Sequence, residues 1–192
     1  MEQAEIIKLF KKTDVIQTGH FELSSGKHTD TYLQCAKIMQ YPKYTNKLAE
    51  EIAKLWKEEK IDLVVGPAIG GIIISYAVAS VMNIRNIFSE RKEGKMKFRR
   101  NLDVKENEKV LIVEDVVTTG GSVREVIDLL EESNADIVGV SSLVDRSNGK
   151  VEFDYSFKPL LKLKVDSYEA DNCELCEKEI PINKPGSKKI KS

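Results

Sequence analysis

Residues Val110–Ser122, VLIVEDVVTTGGS, restrict the possible folds more than any other stretch of the chain. The opening apolar run, mostly β-branched, marks a strand buried on both faces, as in the interior of a parallel sheet. Glu114 and Asp115 follow where that strand should leave the sheet. Val116 and Val117 separate them from a small, hydroxylic loop, Thr118, Thr119, Gly120, Gly121 and Ser122, after which SVREVIDLLEES has helical periodicity. A Gly-rich turn opening a helix aims unpaired backbone N–H groups at the helix's positive end, so a phosphate monoester fits there without Lys or Arg. The three hydroxyls add donors. Carboxylates repel phosphate but suit vicinal hydroxyls or a Mg²⁺ beside it. A sugar phosphate satisfies both halves of the loop.

The rest of the chain extends this strand–loop–helix pattern. Ala4–Lys12 has the spacing of a short amphipathic helix. Residues 18–23 and 28–35 read as two short strands around the turn Ser24-Ser25-Gly26-Lys27, a hairpin outside the main sheet. Tyr44–Glu59 carries one apolar stripe and reads as a helix on a sheet. Ile61–Val65 is a buried strand, followed by Ala68-Ile69-Gly70-Gly71 and an apolar helix, Ile72–Met82, which supplies a second backbone anion loop. Two anion loops on one sheet suit a substrate with two separated phosphate groups. Ile84–Ser89 is another strand. It leads into Glu90–Asn101, where Arg91, Lys92, Lys95, Lys97, Arg99 and Arg100 put six positive charges in twelve residues; this reads as a mobile loop placed as a lid. Asp136–Val144 is a buried strand ending in Asp145-Arg146, where open α/β sheets bind ligands. Val151–Phe157 and Leu160–Tyr168 read as two late strands split by Lys158-Pro159.

Expected from this order is an α/β domain with a central, mostly parallel sheet flanked by helices and a small N-terminal hood, mainly residues 15–40, on a core of 41–170. A polar tail, 171–192, follows, its last residues expected to be disordered. Lys and Arg total 30 against 31 for Asp and Glu, which gives no case for nucleic acid or membrane as a partner. No apolar run reaches the roughly 20 residues of a membrane span. An acidic start argues against a signal peptide, and three cysteines argue against a disulfide framework, so a cytoplasmic setting is expected. The tail holds Cys173-Glu174-Leu175-Cys176, which reads as two reduced cysteines in a turn. As half of a tetrahedral zinc site it could be completed within the chain only by Cys35, His20 and His28.

The acidic pair and Thr/Gly/Ser loop resemble the phosphoribosyl-pyrophosphate (PRPP) motif of type I phosphoribosyltransferases at every position. With SSGKHTDTY in the hood, GPAIGG, ERKEGKMKFRR and VDR, the chain up to about residue 170 is similar to the orotate branch of that family. The lid is the most specific segment, since RKE followed two residues later by Lys separates orotate enzymes from purine relatives. The resemblance implies Mg²⁺-dependent transfer of phosphoribose to orotate, with Glu114 and Asp115 on the ribose, Val116, Val117 and Thr118–Ser122 around the 5′-phosphate, and Gly70 and Gly71 on the pyrophosphate. It makes Arg91, Lys92, Lys95 and Lys97 PRPP contacts, the first three catalytic, reaching the neighbouring subunit's site in a homodimer. It makes Thr118, Arg146 and Lys27 orotate contacts. The chain departs from some members at Ser24, at Ile69-Gly70 in place of Tyr-Lys, and at Lys97 in place of His. A PRPP-sensing regulator shares this motif but needs a nucleic-acid-binding surface, for which this chain has no basic excess; transfer to another base is the other alternative.

Overall fold

The computed structural model describes residues 1–23 and 25–185. The departure at Ser24 and the expected disorder of the last residues lie outside the described residues. In chain order the elements are α1 Gln3–Lys12, β1 Ile16–Glu22, β2 His28–Leu33, α2 Ala36–Met39, α3 Pro42–Leu55, β3 Leu63–Pro67, α4 Gly70–Met82, β4 Arg85–Lys92, β5 Lys95–Phe98, β6 Lys109–Val117, α5 Gly121–Glu132, β7 Asp136–Asp145, β8 Phe157–Lys162, a 3-10 turn Ala170–Asn172, α6 Glu174–Glu177 and β9 Ile182–Asn183.

Six strands form one sheet in the order β5-β4-β3-β6-β7-β8, parallel except for the antiparallel β4–β5 pair. Successive side chains of a strand point to opposite faces, and the central strands use that alternation fully. Val64, Leu111 and Val113 face one core with α1, α3 and α4, whereas Leu63, Val65, Val110 and Ile112 face a second core under α5. Both faces are therefore covered, which explains why these strands read as unbroken apolar runs. From β3 the chain moves outward to β4, and from β6 it moves the other way to β7. The switch point lies between the carboxyl ends of β3 and β6, where an open α/β sheet has its ligand crevice.

A second, three-stranded sheet, β2-β1-β9, forms the hood. Its third strand comes from the tail: β9 pairs parallel with β1, and His28 exchanges two backbone hydrogen bonds of 2.8 Å with Tyr168. The tail is thus folded onto the hood through at least Asn183.

Four expectations change. The basic segment folds as a hairpin, β4–β5, instead of a loop without secondary structure. Its two-residue turn is Glu93-Gly94 with φ of 53° and 82°, the positive pair that tight hairpins favour. Met96, 5 % exposed, anchors it. Val151–Phe157 is not a strand before its final residue; it is a connection whose Val151 and Phe153 pack against the second core. Pro159 does not divide two strands but lies inside β8, which is tolerable because β8 is the edge strand and the missing N–H breaks no outer ladder. Finally, β6 continues through Glu114 and Asp115 to Val117, so the acidic pair is held by ladder hydrogen bonds and not at a strand end.

Leu111, fully buried in the middle of β6, touches the core that binds sheet to α3 and α4. Leu111→Ala should destabilise the chain by about 2–5 kcal/mol, measured by urea unfolding.

Candidate functional site

The two anion loops meet at the switch point. Gly70 starts α4 so close to the acidic pair that a Cβ there would lie 2.5 Å from Asp115 Oδ1; one at Gly71 would lie 3.0 Å from the Val113 carbonyl oxygen. Any side chain at position 70 has to displace Asp115. With glycine at both positions, this loop can face an anion only through backbone N–H groups.

Glu114 is buried and its Oε1 accepts a hydrogen bond from the Asp115 N–H at 2.9 Å, while Asp115 Oδ1 accepts one from the Val116 N–H at 2.7 Å. Burial, reinforced by the adjacent Asp115 charge, pushes the Glu114 carboxyl well above its ordinary range. Beyond the pair, Val116, Val117, Thr118, Thr119, Gly120, Gly121 and Ser122 line a recess at the start of α5. Gly120 is the residue before that helix, with φ of 75°, a left-handed conformation that favours glycine. Val151 and Phe153 press on it from above, and Arg124 holds their loop by a 2.8 Å bond to the Glu152 carbonyl. The loop is thereby preset to present helix N–H groups to an anion.

Arg146 follows the end of β7. Its backbone N–H bonds the Val117 carbonyl at 2.8 Å, which places Arg146 beside Thr118. The guanidinium is half-buried and burial pulls its pKa down; the groups that oppose this are Tyr32 and Cys35 of the hood. Among the described residues Arg146 makes no ion pair, so a half-buried cation is left for an anion from outside the chain. Cys35 completes the picture: burial raises its thiol pKa, and it feels Asp115, Glu114 and Arg146 in that order. Cys35 at the base of the hood is thus near enough to the acidic pair and to Arg146 to feel their charges.

Other residues expected at the site lie elsewhere. Lys27 is at the hairpin tip and pairs with Glu169 at 2.6 Å; five residues of strand, roughly 16 Å, separate it from Tyr32. Pro67 is in register with Ser89, so residues 90–97 project past the carboxyl end of β3 and above the crevice. Arg91 is latched in two-pronged fashion to Glu125 of α5 at 2.9 and 2.6 Å, and Glu125 also accepts the Met96 N–H at 3.1 Å. Lys92, Lys95 and Lys97 are exposed and form no ion pair among the described residues. The lid thus packs on α5, one turn beyond the phosphate loop, without touching it. The sequence reading missed the roles of Tyr32, Cys35 and Glu125. Tyr32 stood in the SSGKHTDTY segment, but nothing local said that the base of that hairpin would cover the end of β7.

A family model described as "Phosphoribosyl transferase domain" matches residues 34–172. A protein named "Orotate phosphoribosyltransferase" from Thermoanaerobacter sp. (strain X514) is 54 % identical over 190 residues, covering 99 % of this chain and 100 % of its own length. The crystal structure of an orotate phosphoribosyltransferase from Aeropyrum pernix superposes with a TM-score of 0.73 at 21 % identity, over 82 % of this chain and 93 % of that one. The adenine phosphoribosyltransferase of Thermoanaerobacter pseudethanolicus also superposes, with a TM-score of 0.65 at 16 % identity over 81 % of this chain and 99 % of that one. The backbone is common to transferases for different bases, so choice of base rests on side chains.

Because the Glu114 pKa is raised on folding, its ionisation opposes the folded state, and stability is lost as pH rises from the ordinary Glu value of about 4.3 through the higher folded value. Ligand-free Glu114→Gln should therefore melt above wild type at about pH 8, by roughly 2–4 °C for each kcal/mol of relieved repulsion. The difference should vanish as pH falls towards 4.3; thermal melts across that range check both sign and trend.

Proposed function

The chain belongs to the phosphoribosyltransferase family and stands among its orotate phosphoribosyltransferases, and we propose how its residues divide the transfer of phosphoribose from PRPP to orotate, which gives orotidine 5′-monophosphate and diphosphate. The observation that carries the assignment to this base is Arg146, a half-buried guanidinium with no ion pair among the described residues, beside Thr118 of the loop that opens α5. A planar fork of donors pairs bidentately with a carboxylate, which orotate carries and adenine lacks.

The 5′-phosphate sits on the N–H groups and hydroxyls of Thr118–Ser122, and Glu114 and Asp115 accept from the ribose hydroxyls. The diphosphate lies against the backbone at Gly70-Gly71. Two crowded carboxylate oxygens fit a hard divalent cation, and Mg²⁺, held mainly by PRPP itself, would neutralise the diphosphate charge. Loss of diphosphate leaves an oxocarbenium-like ribosyl centre, and a ring nitrogen of orotate bonds to that carbon. The ring N–H is acidic enough that the protein's contribution is position and charge. Arg91, Lys92, Lys95 and Lys97 close over the diphosphate and exclude water, which requires Arg91 to leave Glu125. Arg91–Glu125 is an exposed pair worth no more than about 1 kcal/mol, so the new contacts can replace it. Lys27 reaches orotate only if the hood closes.

The lid acts on a second copy's crevice. Support comes from α4, where Ile69, Ile73 and Tyr76, 86, 48 and 66 % exposed, form an apolar stripe running from the pyrophosphate loop and suited to a homodimer interface. No described helix is long and apolar enough to cross a membrane; three free thiols suit a reducing cytoplasm.

Incubation with PRPP, Mg²⁺ and orotate should lower the ultraviolet absorbance of orotate, with no reaction on adenine; turnover of adenine alone overturns the assignment. Arg146→Ala should raise the KM for orotate about 10- to 100-fold, the worth of a charge-assisted bond of roughly 1.5–3 kcal/mol. Lys95→Ala should lower kcat far more than PRPP affinity. At an orotate concentration far below the raised KM, where both variants turn over slowly, mixing them should restore roughly a quarter of wild-type activity if the lid acts across a two-fold interface, since half the dimers are hybrids with one intact site. No restoration after subunit exchange would mean that the lid serves its own chain.

A further inference from the structure

The tail's Cys173 and Cys176 lie at the one-turn helix α6, Cys173 just before it and Cys176 within it. They lie against His20 of β1 and His28 of β2, residues that are remote in sequence and outside the crevice. One ligand atom from each of the four falls within 4.8 Å of all the others. Cys35, the other residue that could have completed the pair, is buried in the main core beside the acidic crevice and takes no part.

We propose that His20, His28, Cys173 and Cys176 form a structural zinc site. His20 Nε2 lies 3.0 Å from His28 Nδ1, 3.6 Å from Cys173 Sγ and 3.8 Å from Cys176 Sγ, and His28 Nδ1 lies 3.3 Å from Cys176 Sγ. Zinc bonds of about 2.0 Å to nitrogen and 2.3 Å to sulfur in a tetrahedron give ligand separations of roughly 3.3 Å for N–N, 3.5 Å for N–S and 3.8 Å for S–S. These four separations match the tetrahedral values within a few tenths of an ångström, and all four ligand atoms lie within 4.8 Å of one another.

The second layer fits as well. His20 Nδ1 lies 2.7 Å from the Ile180 carbonyl oxygen, which can only accept. The proton therefore belongs on Nδ1, and the Nε2 lone pair points into the cluster, the usual arrangement of a metal-binding imidazole. Both histidines and Cys173 are buried. Two neutral imidazoles and two thiolates make a closed four-ligand set with borderline-soft donors, which selects zinc and leaves no open position for catalysis.

The consequence is mechanical. Among the described residues the tail joins the hood by the two-residue β9, the Tyr168 bridge and the ion pairs Lys27–Glu169 and Lys184–Glu22. A hairpin with so short a third strand is marginal by itself. A metal bound by two residues of the hairpin and two of the tail ties them together, and its binding energy becomes folding energy for the hood. The hood in turn sets Tyr32 beside Arg146.

Metal analysis of full-length protein purified without chelator should find one zinc per chain. Metal-free protein titrated with Co²⁺ should give the visible d–d bands of a tetrahedral site with thiolate-to-cobalt charge transfer; Cys176→Ser should lose the charge-transfer intensity and Cys35→Ser should not. Chelation should lower the melting temperature, and zinc should restore it. Absence of zinc together with absence of a tetrahedral cobalt spectrum in the wild type would overturn the site, even where the variants fail to fold; so would a spectrum that depends on Cys35. Orotate turnover is a separate measurement, so failure here leaves the transferase assignment standing.

Discussion

The contact between the acidic pair of β6 and the glycine backbone that opens α4 is the constraint on which the crevice depends. Glu114 and Asp115 lie within β6 beyond the end of its ladder with β3 at Ile112, where β7 alone still pairs with the strand and holds the two carboxylates in place. The only approach that leaves them room is a neighbour without a side chain, and Gly70-Gly71 supplies it. That close approach brings two sets of helix N–H groups, from α4 and α5, to either side of two carboxylates. Backbone donors suited to anions and carboxylate acceptors suited to hydroxyls thereby lie side by side. The arrangement is uncomfortable when empty, since Glu114 is buried beside another acid. Functional sites commonly hold such unfavourable charge, to be relieved by the ligand.

Around that centre the molecule has a rigid half and two attached parts. The sheet, covered on both faces, fixes the phosphate loop and Arg146. The lid is a hairpin extending one edge and resting on α5 through an exposed ion pair, an interaction weak enough to exchange for substrate contacts. The hood leans on the tail, where His20 and His28 lie against Cys173 and Cys176. Rigidity is thus concentrated where charge must be preorganised, and adjustable contacts lie where substrates enter and leave.

Much of this was legible in the chain. The strand–acid–glycine–helix order of Val110–Ser122 carries its own physics: β-branched residues without alternation indicate a doubly covered strand, and Gly120 marks the left-handed turn before α5. Less legible was the basic segment, whose charge hid the alternation of Met96 and Phe98 and the Glu93-Gly94 turn. Pro159 misled because a proline forbids a central strand but not an edge one, and edge position is a property of the assembled sheet.

The sequence by itself determined the local units, the two phosphate loops and the chemical type of each site residue, because helix periodicity, strand burial and turn conformation are set by neighbours a few residues apart. Only the tertiary structure decided which distant groups meet. It put Gly70 against Asp115, left Arg146 without an ion pair among the described residues, tied Arg91 to Glu125, and brought Cys173 and Cys176 to His20 and His28 across some 150 residues. Those pairings follow from strand order and from the docking of the tail on the hood, which depend on burying apolar surface over the whole chain and leave no trace in any short stretch of it.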